Sequence, residues 1–142
     1  MTREEFEIYV DHFNNKRFDD VLSYFADDVE VQYFSPLKKG AYEQRIFYGK
    51  DAFRERYEIL HKTLREVMKL GKFVCDGDNI FVELWTEFHA FEDSPNFSVG
   101  HLKVGDVAIA NNFVLYWLNE EGKFKKIRIA HHRIHDASEA FL

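Results

Sequence analysis

The run VAIANNFVLYWL (residues 107–118), the turn Asn119-Glu120-Glu121-Gly122 and the run KFKKIRIAHHRI (123–134) decide how this chain is read. Both runs are rich in β-branched and aromatic residues, which suit a pleated, half-buried surface. Gly122 stands where a hairpin turn calls for positive φ, so the pattern predicts a long β-hairpin. At about 3.3 Å per residue each strand reaches roughly 35–40 Å, well beyond an ordinary strand. Strands of that length bend, and something must fill the concave side.

The earlier part of the chain supplies the filling. Thr2 and Glu5 make a capping box, and Phe6, Tyr9, Val10 and Phe13 behind it fall on one face of a first helix that Asn14-Asn15 ends. Phe18, Val21, Leu22 and Phe25 repeat that spacing in a second short helix, with Asp19 and Asp20 near its positive end. In FADDVEVQYF (25–34) the period changes to two, which predicts a first strand. Residues 35–50, with Pro36, Gly40 and Gly49, read as a surface loop and a candidate lid. Asp51 caps a long third helix carrying Phe53, Tyr57, Leu60, Leu64 and Val67, and Gly71 ends it or opens the next element. LGKFVCD (70–76) and NIFVELWTEFHAF (79–91), joined at Gly77-Asp78, predict a second and a third strand. Residues 92–106, with Pro95, Gly100 and Gly105, read as a second loop. Helices early and an antiparallel sheet late make the fold class α+β. A chain of 142 residues predicts one domain, residues 1–142.

Composition narrows the functions. Aromatic residues make up an unusual 17% of the chain, with 15 Phe and 7 Tyr; part of them must be core, but such side chains also line ligand cavities in small domains. A net charge of −6 without a Lys/Arg cluster argues against a nucleic-acid partner. The one cysteine, Cys75, excludes an internal disulfide and is expected as a small buried hydrophobe. No run approaches 18 apolar residues, and MTREEFEIYV lacks the basic end and apolar run of a signal peptide. The expectation is a cytoplasmic protein that does not contact a membrane.

FADDVEV after two short helices, YGKDAF opening the third, and the closing strand–EEGK–strand hairpin together resemble the nuclear transport factor 2-like superfamily. It includes SnoaL-like polyketide cyclases, ketosteroid isomerases, scytalone dehydratases and limonene epoxide hydrolases. The resemblance spans nearly the whole chain. It implies a cone: a curved antiparallel sheet wrapped around a long helix, with two short N-terminal helices and an apolar pocket inside. It also implies a homodimer through the convex sheet face. Aligned on FADD, Tyr9 stands where ketosteroid isomerases keep their oxyanion-stabilising tyrosine and Tyr33 where they keep the proton-shuttling aspartate. Val114 falls near the third oxyanion-hole acid, and Ile129 at the catalytic aspartate of the cyclases and epoxide hydrolases. Leu115 stands about where scytalone dehydratases carry one of two histidines. The inherited carboxylates of three subfamilies are therefore absent.

With Ile129 facing inwards, alternation sends Lys125, Ile127, His131 and Arg133 the same way. His131 becomes the candidate general acid–base, set against a structural histidine at the rim of the cone. Tyr9 and Tyr33 are candidate donors to a carbonyl or ether oxygen, set against core packing with satisfied hydroxyls. Phe53, Tyr57 and His61 on the third helix are candidate substrate contacts. Ile80, Val82, Leu84, Thr86 and Phe88 are expected to face the pocket, so Thr86 and Phe88 join the substrate contacts. Glu83 and Glu87 are expected on the convex side as interface or solvent charges, beside an exposed Trp85 that favours a dimer. Either Asn112 and Tyr116 or Asn111 and Trp117 line the pocket, because a bulge swaps them; Asn112 and Tyr116 are the choice. His131, His132 and His135 do not form a metal site, since residues 131 and 135 lie about 13 Å apart on an extended strand and zinc holds its ligands at about 2 Å. No metal and no cofactor is called for.

Two functions remain open. One is a cofactor-independent isomerase, cyclase or dehydratase acting by acid–base chemistry on a hydrophobic small molecule such as a polyketide or terpenoid intermediate. The other is a non-catalytic small-molecule-binding or dimerisation module on the same fold.

Overall fold

The computed structural model describes residues 1–35, 43–95, 97 and 100–142. Helix α1 (Arg3–Asn14) starts at the predicted box: Thr2 Oγ1 accepts from the Glu5 amide at 3.2 Å, and Glu5 Oε2 accepts from the Thr2 amide at 2.7 Å. Its apolar stripe, Phe6, Tyr9, Val10 and Phe13, is buried. Asn14 then ties α1 to the sheet, donating to the Met68 carbonyl at 2.8 Å and accepting from the Met68 amide at 2.7 Å. Helix α2 (Phe18–Ser23) follows, and Phe25 opens strand β1 (Phe25–Ser35) rather than closing α2.

Residues 35–50 are not simply a loop. Residues 43–48 form strand β2 (Glu43–Tyr48), which pairs antiparallel with β1; residues 36–42 of the expected lid lie outside the described residues. Helix α3 (Lys50–Leu60) begins at Gly49, whose φ of 89° suits glycine, and no side chain caps it; Asp51 sits inside its first turn. The helix ends at Leu60. Leu64 and Val67 belong instead to strand β3 (Leu64–Asp76), because residues at i, i+4 and i+7 can also fall on a strand buried on both faces at one end. Gly71 lies within β3, at a register shift between Leu70 and Phe73. There an added Cβ would come within 3.2 Å of the Glu83 carbonyl oxygen. Cys75, near the end of β3, is exposed, contrary to its expected burial.

Strands β4 (Asn79–Ala90), β5 (Val107–Leu118) and β6 (Phe124–His135) complete one six-stranded sheet in the order β2-β1-β6-β5-β4-β3. β1 and β6 run parallel, and the other pairings are antiparallel. Gly122 has φ 75° in the β5–β6 turn, as that turn requires. Register shifts in β1–β6, β3–β4 and β5–β6 mark the bulges that bend the sheet, which curves without closing. The 92–106 segment is pinned by a bridge between Ser94 and Leu102, and Leu102 packs against Leu64, Phe88 and Ala90.

The concave face of β4 is as expected, with Ile80, Val82, Leu84, Thr86 and Phe88 all buried. The convex face departs from expectation. Glu87 is completely buried there, because residues 136–142 fold back over it, around a short 3-10 turn at Ala137–Glu139. Glu87 accepts from the amides of Phe141 (2.6 Å) and Leu142 (3.2 Å) and from Trp85 Nε1 (2.8 Å). Trp85 is half-buried under His135, with ring centroids 4.2 Å apart. Neither residue is the exposed convex group that the alternation suggested. A six-stranded curved sheet with three helices is the nuclear transport factor 2-like arrangement.

Candidate active site

Between the helices and the concave sheet lies a partly open cavity of about 90 Å3. Tyr9 enters it from α1, Phe53 and Tyr57 from α3, and Tyr33 from β1. The other wall takes Thr86 and Phe88 from β4, Asn112 and Tyr116 from β5, and His131 from β6. The choice between the two faces of β5 thus falls to Asn112 and Tyr116; the register shift lies beside it, between Asn111 and Asn112. Ile127 and Ile129 line the same wall as His131, as alternation requires, whereas Lys125 and Arg133 are exposed. His61 does not line the cavity. It stands behind Tyr57, its ring 4.6 Å from that of Tyr57 and 5.2 Å from that of Phe18.

The polar groups form two sets. In the first, Asn112 Nδ2 donates to Thr86 Oγ1 at 3.1 Å, which turns the amide oxygen towards β6. That oxygen lies 2.5 Å from His131 Nδ1. An oxygen acceptor there requires the proton on Nδ1 and leaves Nε2 as the basic nitrogen. Burial, and after it the Arg56 guanidinium, hold the His131 pKa below its ordinary value, while Glu66 opposes them. His131 is therefore a neutral imidazole near pH 7.

The second set centres on Glu66, which sequence reading missed. It had placed residue 66 on a helix, whereas on strand β3 Glu66 and Met68 both line the cavity. Tyr57 Oη donates to Glu66 Oε2 at 2.8 Å. Burial and then the Glu66 charge push the Tyr57 hydroxyl well above its ordinary pKa. Burial and the neighbouring Tyr116 hydroxyl do the same to Tyr9, and burial raises Tyr116. Tyr33 is raised by burial against the opposing pull of Arg56, whose guanidinium lies 4.4 Å from the Tyr33 ring centre and 4.8 Å from that of Phe47. All four phenols remain protonated donors near neutral pH.

The SnoaL-like domain pattern matches residues 6–127. The chain belongs to that family. Among solved structures, this SnoaL-like chain is similar to a proposed polyketide cyclase from Xanthomonas campestris pv. campestris, at 15% identity over 87% of this chain and 84% of the other, with a TM-score of 0.69. It is also similar to SalBIII, an epoxide hydrolase/cyclase-like enzyme with a role in pyran ring formation in the polyether salinomycin (18% identity, 92% and 89% covered, TM-score 0.67). A third is RV0760c from Mycobacterium tuberculosis, solved in complex with estradiol-17beta-hemisuccinate (14% identity, 85% of each chain covered, TM-score 0.65). A search of curated protein sequences finds no match. At these identities the likeness speaks for the fold.

An open groove of about 360 Å3 on the convex side, lined by Lys69, Glu83, Trp85 and Phe141 among others, is a furrow beside the folded-back tail. Among the described residues no three His, Cys, Asp or Glu side chains are grouped to hold a metal ion, and no helix is long and apolar enough to cross a membrane. In the cavity, titratable side chains converge on largely apolar walls.

Proposed function

We propose that this SnoaL-like chain is a cofactor-independent enzyme that moves protons on a hydrophobic small molecule, as an isomerase, cyclase or dehydratase. The observation that carries the reading is the 2.5 Å contact of His131 Nδ1 with Asn112 Oδ1 in a cavity walled by phenols, which favours the Nδ1–H tautomer. His131 Nε2 takes a proton from a carbon beside the substrate carbonyl, and the C–H electron pair passes into an enolate. The Tyr33 hydroxyl, joined by Tyr9 once it turns from the Tyr116 oxygen to which it donates, supplies hydrogen bonds to the oxygen on which that charge collects. Apolar walls from Phe53, Phe88, Val114 and Ile127 orient the substrate and keep water from the enolate. The chain has no carboxylate at Val114 or Ile129, so His131 does the work that an aspartate does in relatives.

Size constrains the substrate. At about 90 Å3 the cavity is smaller than the ~150 Å3 that holds benzene, so a ring enters only with some atoms in the mouth or after side chains turn aside. That same volume favours a second reading, a binding or dimerisation module with a cone filled by its own side chains. A homodimer through the convex face fits either reading. Its contact would centre on Phe81, Phe113, Leu115 and Trp117, since the tail already covers Trp85, and light scattering should give twice the chain mass.

The deciding experiment follows deuterium uptake from D2O at the α-carbons of cyclopentanone by NMR. Uptake accelerated by the wild type and returned to the background rate in His131→Gln supports the enzyme. No acceleration leaves the binding module, and acceleration that survives in His131→Gln removes His131 as the base.

A further inference from the structure

We propose that the Glu66 end of the cavity binds an organic cation: a small tertiary ammonium whose N–H meets the Glu66 carboxylate and whose alkyl groups meet the surrounding aromatic rings. The inference concerns what the cavity holds, and it goes beyond the proton-transfer reading, which it does not need.

Glu66 brings a carboxylate into a wall that is otherwise aromatic, aliphatic or uncharged polar, and its side chain is only 12% exposed. Taking an ion out of water is costly, so buried charges are matched by an opposite charge or a metal ion. Glu66 has little to match it. Among the described residues no Lys or Arg pairs with it, and no cluster of His, Cys, Asp or Glu is grouped to share a metal ion. Tyr57 Oη donates to Oε2 at 2.8 Å, which is one hydrogen bond from a neutral group. His61 Nε2 lies 3.6 Å from the same oxygen, yet neither nitrogen of that ring makes a hydrogen bond. Among the described residues Oε1 accepts from nothing, and it is left for a ligand.

The surroundings say what kind of ligand. Tyr57 stacks on Phe53 with centroids 5.3 Å apart and meets Phe13 edge-on at 4.9 Å. All three rings line the cavity, together with Tyr9 and Phe88. A cation within about 6 Å of such rings is attracted by their quadrupoles, and scarce water strengthens its pairing with a carboxylate. A primary ammonium would bring three N–H donors to one waiting oxygen and leave donors unpaired among apolar groups. A tertiary ammonium brings one N–H and turns alkyl groups to the rings. Trimethylammonium, smaller than benzene, suits a cavity of about 90 Å3.

The charges set its orientation. The Glu66 charge is felt at Tyr9, Tyr33, Tyr57, Tyr116 and His131, so it draws a cation throughout the cavity. Arg56, stacked on Tyr33 and Phe47 and outside the lining, repels a cation from the Tyr33 and His131 side. The ammonium therefore settles at Glu66, and any apolar remainder of the same molecule points towards His131.

Titration calorimetry with trimethylammonium chloride at constant ionic strength tests this. The comparison is tert-butanol, which has the same three methyl groups and a single donor but no charge. We expect trimethylammonium to saturate one site with a Kd of about 1 mM, within reach of so small a ligand, and to bind about tenfold or more tightly than tert-butanol. Glu66→Gln, which keeps the shape and removes the charge, should weaken trimethylammonium about 10- to 100-fold and leave tert-butanol within a few-fold. Amide NMR shifts should gather at Phe53, Tyr57 and Glu66. Shifts confined to surface carboxylates, the response that a net charge of −6 gives by itself, overturn the proposal. Unchanged trimethylammonium affinity in Glu66→Gln also overturns it. So does equal binding of the two probes by the wild type, a comparison that holds even where the variant does not fold. Wild type that binds no trimethylammonium but accelerates cyclopentanone exchange overturns this inference and keeps the catalytic reading. Wild type that binds it at Glu66 and is inert towards cyclopentanone keeps this inference and overturns the catalytic reading.

Discussion

His131 Nδ1 lies 2.5 Å from Asn112 Oδ1 on the neighbouring strand. That contact fixes which imidazole nitrogen is basic, and it makes a variant at residue 112 informative without touching the histidine. Asn112→Leu removes the acceptor at similar volume and frees the ring to rotate and change tautomer. Its α-exchange rate on cyclopentanone should fall roughly 10- to 100-fold, a part of the 10²–10⁴-fold that a positioned base contributes. Ring-nitrogen NMR of labelled histidine should show His131 moving from one Nδ1–H form to a tautomer mixture. An unchanged spectrum would mean that Asn112 does not set the tautomer.

Burial and Arg56 lower the pKa of His131, which gives stability a pH dependence of known sign. The unfolded chain binds a proton at this residue near pH 6.5, and the folded chain only at lower pH. Between those values the unfolded state carries more protons, so stability rises with pH and is lost as pH falls below about 6.5. Thermal melts from pH 8 to 5 should show a decline that is shallower in His131→Gln. Parallel profiles would show that other groups carry the slope.

Much of this was legible in the sequence, for physical reasons that also mark where reading stops. The β5–β6 hairpin, the α1 capping box and the inward face of β4 each rest on a local signal, and local signals survive folding. Of the site candidates, His131, Tyr9, Tyr33, Phe53, Tyr57, Thr86, Phe88, Asn112 and Tyr116 line one cavity, since a strand's alternation or a helix's stripe fixes where each points. Their roles await the assays above. The errors share a cause, which is the partner supplied by tertiary structure. Leu60, Leu64 and Val67 continue a helical spacing, but β4 pairs with residues 64 onwards and turns them into strand, and so Glu66 was missed. Residues 43–48 became an edge strand because β1 offered them a template. Glu87 alternates as a convex residue should, yet the tail that buries it is 54 residues away in sequence.

Asn14 clamps both backbone groups of Met68, at 2.8 and 2.7 Å, and so joins the end of α1 to the strand that carries Glu66. Asn14→Ala leaves a part-buried amide and carbonyl without partners and should cost about 2 kcal/mol in urea unfolding. The same variant should weaken exchange protection at Met68 more than at β5 amides. A loss below ~0.5 kcal/mol would mean that water replaces the clamp at little cost.

Glu87 holds the tail through charge. Burial by itself would raise its pKa, but the Phe141 amide, the Trp85 indole, His89 and the Leu142 amide outweigh burial and keep it below the ordinary carboxylate value. A depressed folded pKa means that this contribution is whole above the ordinary value and fades as pH falls through the folded one. Glu87→Ala strands several donors and should cost roughly 2–3 kcal/mol at pH 7, with the amides of residues 141 and 142 exchanging freely. Glu87→Gln keeps two acceptor sites on one oxygen and loses the charge, so it should fall between wild type and alanine and no longer respond to acid in that range. If the two variants unfold alike and the tail amides stay protected, the carboxylate is not what anchors residues 136–142 to the convex sheet.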